Sequence, residues 1–355
     1  MAMAIVLQSV INNVDWIPNI SSMTSILISS SVLVFYCVTG GIIASVYTDV
    51  VQGTIMLVSA ILIFFTALAA VDGGLSGMAT TMFLDDPESI GSFGTLGMIG
   101  CLSWYFVFAV GVSGQPHLIT KLMMTRNVSQ NKQTVPLSMI SYGISTLLII
   151  GIGLAIRTLV LQGIHPSPAK ADDVAALFLQ SYAHPILAGV VIAGLFAAVM
   201  STADAFLNIG VAAIVHDIPK AIGRTLFKDE LYWSRLMTII LAVVAIIFAL
   251  YSSKEMVALL GAFGFSTFAA AIVPTIAIGL NWKRATATAA NVAMAVSLTL
   301  IFFLQLGNIN IPYGIDKGAI AMLVSLVLFF SISFFSKPPK IDPYILQRKP
   351  VLKFD

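Results

Sequence analysis

Runs of about twenty apolar residues recur nine times along this 355-residue chain, and no other feature limits the fold as much. A run of that length crosses the roughly 30 Å hydrocarbon core of a bilayer as one helix. Inside hydrocarbon every backbone N–H and C=O must be paired within the segment or with other protein, which excludes irregular chain facing lipid. The runs lie near 22–39, 49–71, 97–124, 136–160, 185–215, 234–251, 255–280, 285–306 and 318–336. Residues 1–10 read as the stub of another. Composition agrees: 10% of residues are charged, against about 25% in a soluble domain. The expectation is an all-α integral membrane protein of about nine transmembrane helices. It forms a single transmembrane domain over 1–336, followed by a cytoplasmic tail over 337–355.

Charge sets the orientation. The segments after the third, fifth and seventh runs hold Lys121, Arg126, Lys132, Lys220, Arg224, Lys228, Arg235, Lys283 and Arg284. The tail adds Lys337, Lys340, Arg348, Lys349 and Lys353, so 14 of the 18 basic residues fall on one side. The loop after the second run has Asp72, Asp85, Asp86 and Glu88 and no basic residue. The positive-inside rule then places the C-terminus in the cytoplasm and the acidic loop outside. The start of the chain lacks the basic region of a signal peptide. Cys37 and Cys101 have no metal-ligand spacing, and no phosphate loop, zinc spacing or nucleic-acid motif is present.

Polar residues inside the runs carry the functional signal. In GLFAAVMSTADAFLNIG, Gly194 to Gly210, the residues Ala198, Ser201, Thr202, Asp204, Ala205 and Asn208 share about half of a helix circumference. A carboxylate at the centre of a membrane helix costs roughly 2.5 kcal/mol or more, so this flank faces protein or water. Two hydroxyls and a carbonyl one turn earlier supply three neutral oxygens, which suits a monovalent cation that must also leave. The alternative is that the hydroxyls bond their own helix carbonyls and join helices. A second acid, Asp49, stands at the edge of the second run in GGIIASVYTDVVQG. It is either a helix N-terminal carboxylate or a partner of Asp204 for a cation or a proton. In FAVGVSGQPHLI, Gly111, Gly114, Gln115 and Pro116 interrupt the third run. Broken helices at membrane depth mark the solute and ion sites of secondary transporters.

Four blocks carry a resemblance to a known family. GGIIASVYTDVVQG, GQPHLITKLM, GLFAAVMSTADAFLN, and GAFGFSTF with IGLNWKRAT resemble, in order and spacing, the sodium:solute symporter family of the proline, pantothenate and sodium/glucose transporters. The resemblance implies the leucine-transporter-type inverted-repeat bundle. It implies sodium-coupled symport of a small organic solute, an amino acid such as proline or a carboxylate or vitamin-like solute. It also implies a sodium site of the Ala198 carbonyl with the Ser201 and Thr202 hydroxyls, and in some relatives a second cation site, here Asp49, Ser201 and Asp204. Ala205 stands where a serine is often found, a departure at that second site. The blocks match the family from its core helix 4 onward. Core helices 1–3 have no counterpart here, so the chain is expected to be N-terminally truncated or to work with a separate chain supplying them. The implied location is a plasma membrane, the bacterial inner membrane. Rival readings are a non-transporting fragment that needs such a partner, and an intramembrane aspartyl protease on Asp49 and Asp204. The protease would need a Gly-x-Gly-Asp setting where this chain has Ser-Thr-Ala-Asp, and the zinc-protease motif His-Glu-x-x-His is absent.

Overall fold

The computed structural model describes residues 2–12, 18–125, 127–223, 227–251 and 257–337. All but the first residue of the expected tail therefore lies outside the described residues. The described chain is helical throughout: α1 (Ala2–Ile11), α2 (Ser22–Ala70), α3 (Gly74–Asp85), α4 (Gly97–Gly111), α5 (Pro116–Met123), α6 (Val128–Leu161), α7 (Val174–Tyr182), α8 (Pro185–Ala212), α9 (Ile218–Ala221), α10 (Glu230–Tyr251), α11 (Val257–Val273), α12 (Ala287–Leu306) and α13 (Lys317–Phe335). Among the described residues, nine stretches are long and apolar enough to cross a membrane, most within a few residues of an expected run, the fourth starting at Ser129 rather than 136 with Pro136 inside the helix. The fifth reaches Ala221 rather than 215, because wide π turns at Ala213–Asp217 carry α8 on into α9.

The first two runs are joined without an intervening coil, yet α2 is not straight. The Tyr36 hydroxyl pairs with the Thr48 hydroxyl twelve residues on. In a straight helix those residues stand about 18 Å apart along the axis. The helix folds back between its two spanning parts, Ser22–Gly40 and Ser45–Ala70.

The helices divide into two compact units. Unit 1, residues 1–90 and 136–257, is built round the second half of α2 and α8. Ile63, Ala67 and Val71 of α2 are buried against Ile152, Ala155, Ile156 and Leu159 of α6 and Val191 of α8. Phe178 and Leu179 of α7 and Met78 of α3 close one end of that core. Both short helices went unseen in the sequence because neither is long enough to span. The Arg157 guanidinium donates to Asp85 at 2.7 Å and ties the end of α3 to α6. Ser59 donates to the Val190 carbonyl at 3.1 Å, so α2 and α8 meet through a small polar contact of the kind that joins helices in lipid.

Unit 2, residues 91–135 and 258–355, contains α4, α5, α11, α12 and α13. Its buried centre is Ala269, Ala270 and Val273 of α11, Ile301 of α12, and Ala321 and Met322 of α13. Asp316 caps α13: its carboxylate accepts from the Ala319 N–H at 3.2 Å and from the Ser266 hydroxyl at 3.2 Å. Burial raises the pKa of this carboxyl, against the pull of the Ser266, Gly318 and Ala319 hydrogen bonds and of Lys317. A carboxyl raised in this way favours the folded chain when protonated. Its contribution is complete below the ordinary carboxylate pKa and is lost as pH rises through the raised folded value. Asp316→Asn keeps a capping oxygen of equal quality and removes the buried charge. Its melting temperature at neutral pH should equal or exceed that of the parent, with a smaller change between pH 7 and pH 4. A lower melting temperature at neutral pH would mean that the ionised carboxylate stabilises the fold.

Candidate functional site

The polar flank of α8 divides once it is packed. Residues two apart on a helix point about 160° away from each other, and Thr202 and Asp204 stand at opposite edges of the flank. Asp204 is 1% exposed and Ala205 is buried, Ser201 and Asn208 are half-buried, and Thr202 is exposed. The Thr202 hydroxyl donates to the Ala198 carbonyl at 3.0 Å. This is the back-bond that membrane-helix threonines commonly make. It also sets two oxygens at a spacing that adjacent ligands of one small cation can share, with Ser201 next in the chain.

Asp204 turns the other way, into protein. Its Oδ1 accepts from the Cys37 thiol at 3.5 Å and from the Asn208 amide one turn on. Tyr36, beside Cys37 on the first half of α2, pairs with Thr48 on the second half, and Asp49 follows Thr48. Asp49 and Asp204 both lie within electrostatic reach of the Tyr36 phenol. The two acids named from sequence thus converge on one neighbour. Tyr36 and Cys37 carry no functional signal in the sequence. Each is a lone residue in an apolar run, and only the fold-back of α2 brings them to the acids.

The interruption in the third run lies in unit 2. After Gly111 the chain tightens into one 3₁₀ turn over Val112–Gly114, is extended at Gln115 (φ −80°, ψ 113°), and restarts as α5 with Pro116 in the first turn. Pro116 has no N–H for the Val112 carbonyl, which accepts from the Gln115 N–H at 3.2 Å instead. The Gly111 carbonyl, deprived of that N–H, accepts from the Gln115 side-chain amide at 3.2 Å. The same amide donates to the Phe265 carbonyl of α11 at 3.0 Å. Gln115 is fully buried, and its side-chain carbonyl meets no donor among the described residues. The two N–H contacts fix which end of the amide is which.

The glycines permit close approach. A Cβ on Gly114 would lie 2.8 Å from the Val273 side chain and 3.0 Å from its backbone nitrogen, and one on Gly111 would lie 2.7 Å from the Ala269 Cβ. Ahead of the break, Trp104 stacks on Phe108 at 5.9 Å, and Phe108 meets Phe265 at 4.8 Å between ring centroids with the rings tilted by 33°. Phe265, packed on Phe108, also supplies the carbonyl that holds Gln115. No group of three His, Cys, Asp or Glu able to hold a metal ion occurs among the described residues.

The sequence pattern of the sodium:solute symporter family matches residues 14–297. The high-affinity proline transporter PutP of Bacillus subtilis (strain 168) is 27% identical over 325 residues, 89% of this chain and 66% of its own length. The osmoregulated proline transporter OpuE of the same organism is 24% identical, over 90% of this chain and 65% of its own length. The sodium/proline symporter of Staphylococcus aureus (strain Newman) is 26% identical, over 88% of this chain and 62% of its own length. The chain thus spans somewhat less than two thirds of the length of these relatives. A Na+-coupled sialic acid symporter, solved in a substrate-bound outward-open state, superposes with a TM-score of 0.72 at 20% identity, covering 95% of this chain and 71% of that one. That likeness establishes the fold, the leucine-transporter type that the sequence motifs imply.

Proposed function

The chain belongs to the sodium:solute symporter family, and on that premise we propose that it serves sodium-coupled symport of a small organic solute by alternating access. The observation that carries this reading is the pair of oxygens on α8, the Ala198 carbonyl and the Thr202 hydroxyl 3.0 Å apart, with Ser201 beside them. In this reading they are the helix's ligands to a transported sodium ion. A dehydrated ion needs protein oxygens, and neutral ones let it leave again. Three oxygens do not fill its shell, and the remaining ligands come from outside α8, from this polypeptide or from a separate chain. Asp49, Ser201 and Asp204 are proposed as a second cation site, with Tyr36 as its neighbour.

The solute is placed at the broken helix of Gly111, Gly114, Gln115 and Pro116. Leaving a buried acceptor unpaired costs about 1–3 kcal/mol. The Gln115 carbonyl therefore favours a solute that brings an N–H group, and the relatives point to an amino acid such as proline. The test is uptake of labelled proline by cells deficient in proline uptake that express the chain, in sodium and in potassium medium. Unlabelled amino acids and carboxylates serve as competitors. Uptake that requires sodium and yields to proline supports the proposal; uptake indifferent to the cation contradicts it.

The proposed setting is a bacterial plasma membrane with the basic segments and the C-terminus inside. After Cys37 and Cys101 are replaced, single cysteines at the exposed positions Glu88 and Ser129 report the sides. An impermeant thiol reagent on intact cells should label position 88 and spare position 129. The reverse pattern would invert the topology.

A further inference from the structure

The loop joining α11 to α12 carries none of the residues proposed for symport. The membrane stretches end at Ile278, begin at Ala287 and end at Phe335, so residues 279–286 and the end of α13 share one membrane boundary. Backbone hydrogen bonds make the loop a fixed turn: Trp282 N–H to the Ile278 carbonyl at 2.8 Å, and Ala285 N–H to the Trp282 carbonyl at 3.0 Å. The Trp282 ring lies against Phe329 and Phe330 of α13, at 6.2 and 5.1 Å between centroids. The Arg284 guanidinium donates to the Phe334 carbonyl at 2.7 Å and lies 4.8 Å from the centre of the Phe334 ring. A guanidinium has five N–H donors, of which this carbonyl takes one. Lys283, Arg284 and Lys337 are all exposed at this end. Leu280, Phe334 and Phe335 are exposed beside them, apolar surface at the level where hydrocarbon meets headgroups.

Among the described residues of unit 2 these cations have no acid at their own end of the helices. The described residues of unit 2 include one acidic side chain, Asp316, and it caps the opposite end of α13. We propose that Trp282, Lys283, Arg284 and Lys337 form a binding site for the phosphate of an anionic phospholipid, with the lipid tails against Leu280 and Phe335. Arginine held by a carbonyl and a ring presents its planar donors in one orientation, which suits phosphate oxygens. The adjoining sequence 338–355 offers a weaker occupant, because it carries four basic residues and only two acids, Asp342 and Asp355.

The test is native mass spectrometry of the full chain released from membranes of equimolar phosphatidylglycerol and phosphatidylcholine. The parent should retain phosphatidylglycerol in preference to phosphatidylcholine. Lys283→Gln with Arg284→Gln should lower that retention by about fivefold for each cation removed. Lys283→Gln alone, at an exposed position, should give the single step if the double variant does not fold. Equal retention of both lipids by the parent, or no change in the variants, would overturn the proposal. So would phosphatidylglycerol that binds only after Asp342→Asn and Asp355→Asn, which would make the tail the occupant. Displacement of the lipid by millimolar inorganic phosphate would make a free anion the ligand and overturn it as well.

Discussion

Replacing Ser201 and Thr202 together by alanine is expected to raise the sodium concentration for half-maximal uptake by roughly ten- to a hundredfold, with little loss of folded protein. The size follows from the loss of side-chain oxygens that would ligate the ion, about 1–3 kcal/mol for a lost polar partner, converted through the binding constant. The small effect on folding follows from the structure. Thr202 is exposed and its hydroxyl bonds only to its own helix among the contacts seen, so no contact between helices is broken. Thr202→Ser, which keeps the oxygen, should retain most of the sodium affinity. An unchanged sodium dependence in the double variant would mean that the hydroxyls serve the helix alone.

The second large effect is expected at the break. Gly114→Ala puts a methyl 2.8 Å from the Val273 side chain and 3.0 Å from backbone within α11. Helix backbone cannot yield as a flexible side chain can, and overpacking of this kind costs about 1–3 kcal/mol. The melting temperature should fall and uptake with it. Gly153→Ala is the matched control, because nothing lies within 4 Å of its added carbon. There alanine should stabilise α6 by roughly 0.5–1 kcal/mol through helix propensity. Equal melting temperatures for the two variants would show that the close contact at Gly114 does not matter.

Much of this was legible in the sequence because the bilayer narrows the choices. An apolar run of sufficient length has to be a helix, so the nine spans appear close to where hydropathy puts them. Pro116 and its glycines mark a break that backbone chemistry makes hard to avoid. The role of Gln115 in re-pairing the Gly111 carbonyl was not legible, because it depends on the distance to Phe265, 150 residues away. Helical periodicity alone grouped Thr202 with Asp204 on one flank. It gives angles but not which neighbour lies at each edge, and packing against α2 sends Asp204 inward and leaves Thr202 exposed. The fold-back of α2, which brings Tyr36 to Thr48 and Asp49, turns on a few residues that hydropathy reads only as a gap between spans.

Equilibrium binding of radioactive sodium to the purified chain tests whether oxygens on α8 bind a sodium ion. Sodium ligation by α8 predicts saturable binding that excess unlabelled sodium displaces and equal potassium does not. It further predicts that the affinity falls by about tenfold or more in the Ser201→Ala, Thr202→Ala double variant. Binding of equal strength in the parent and the double variant would contradict it, as would labelled sodium that potassium displaces equally well.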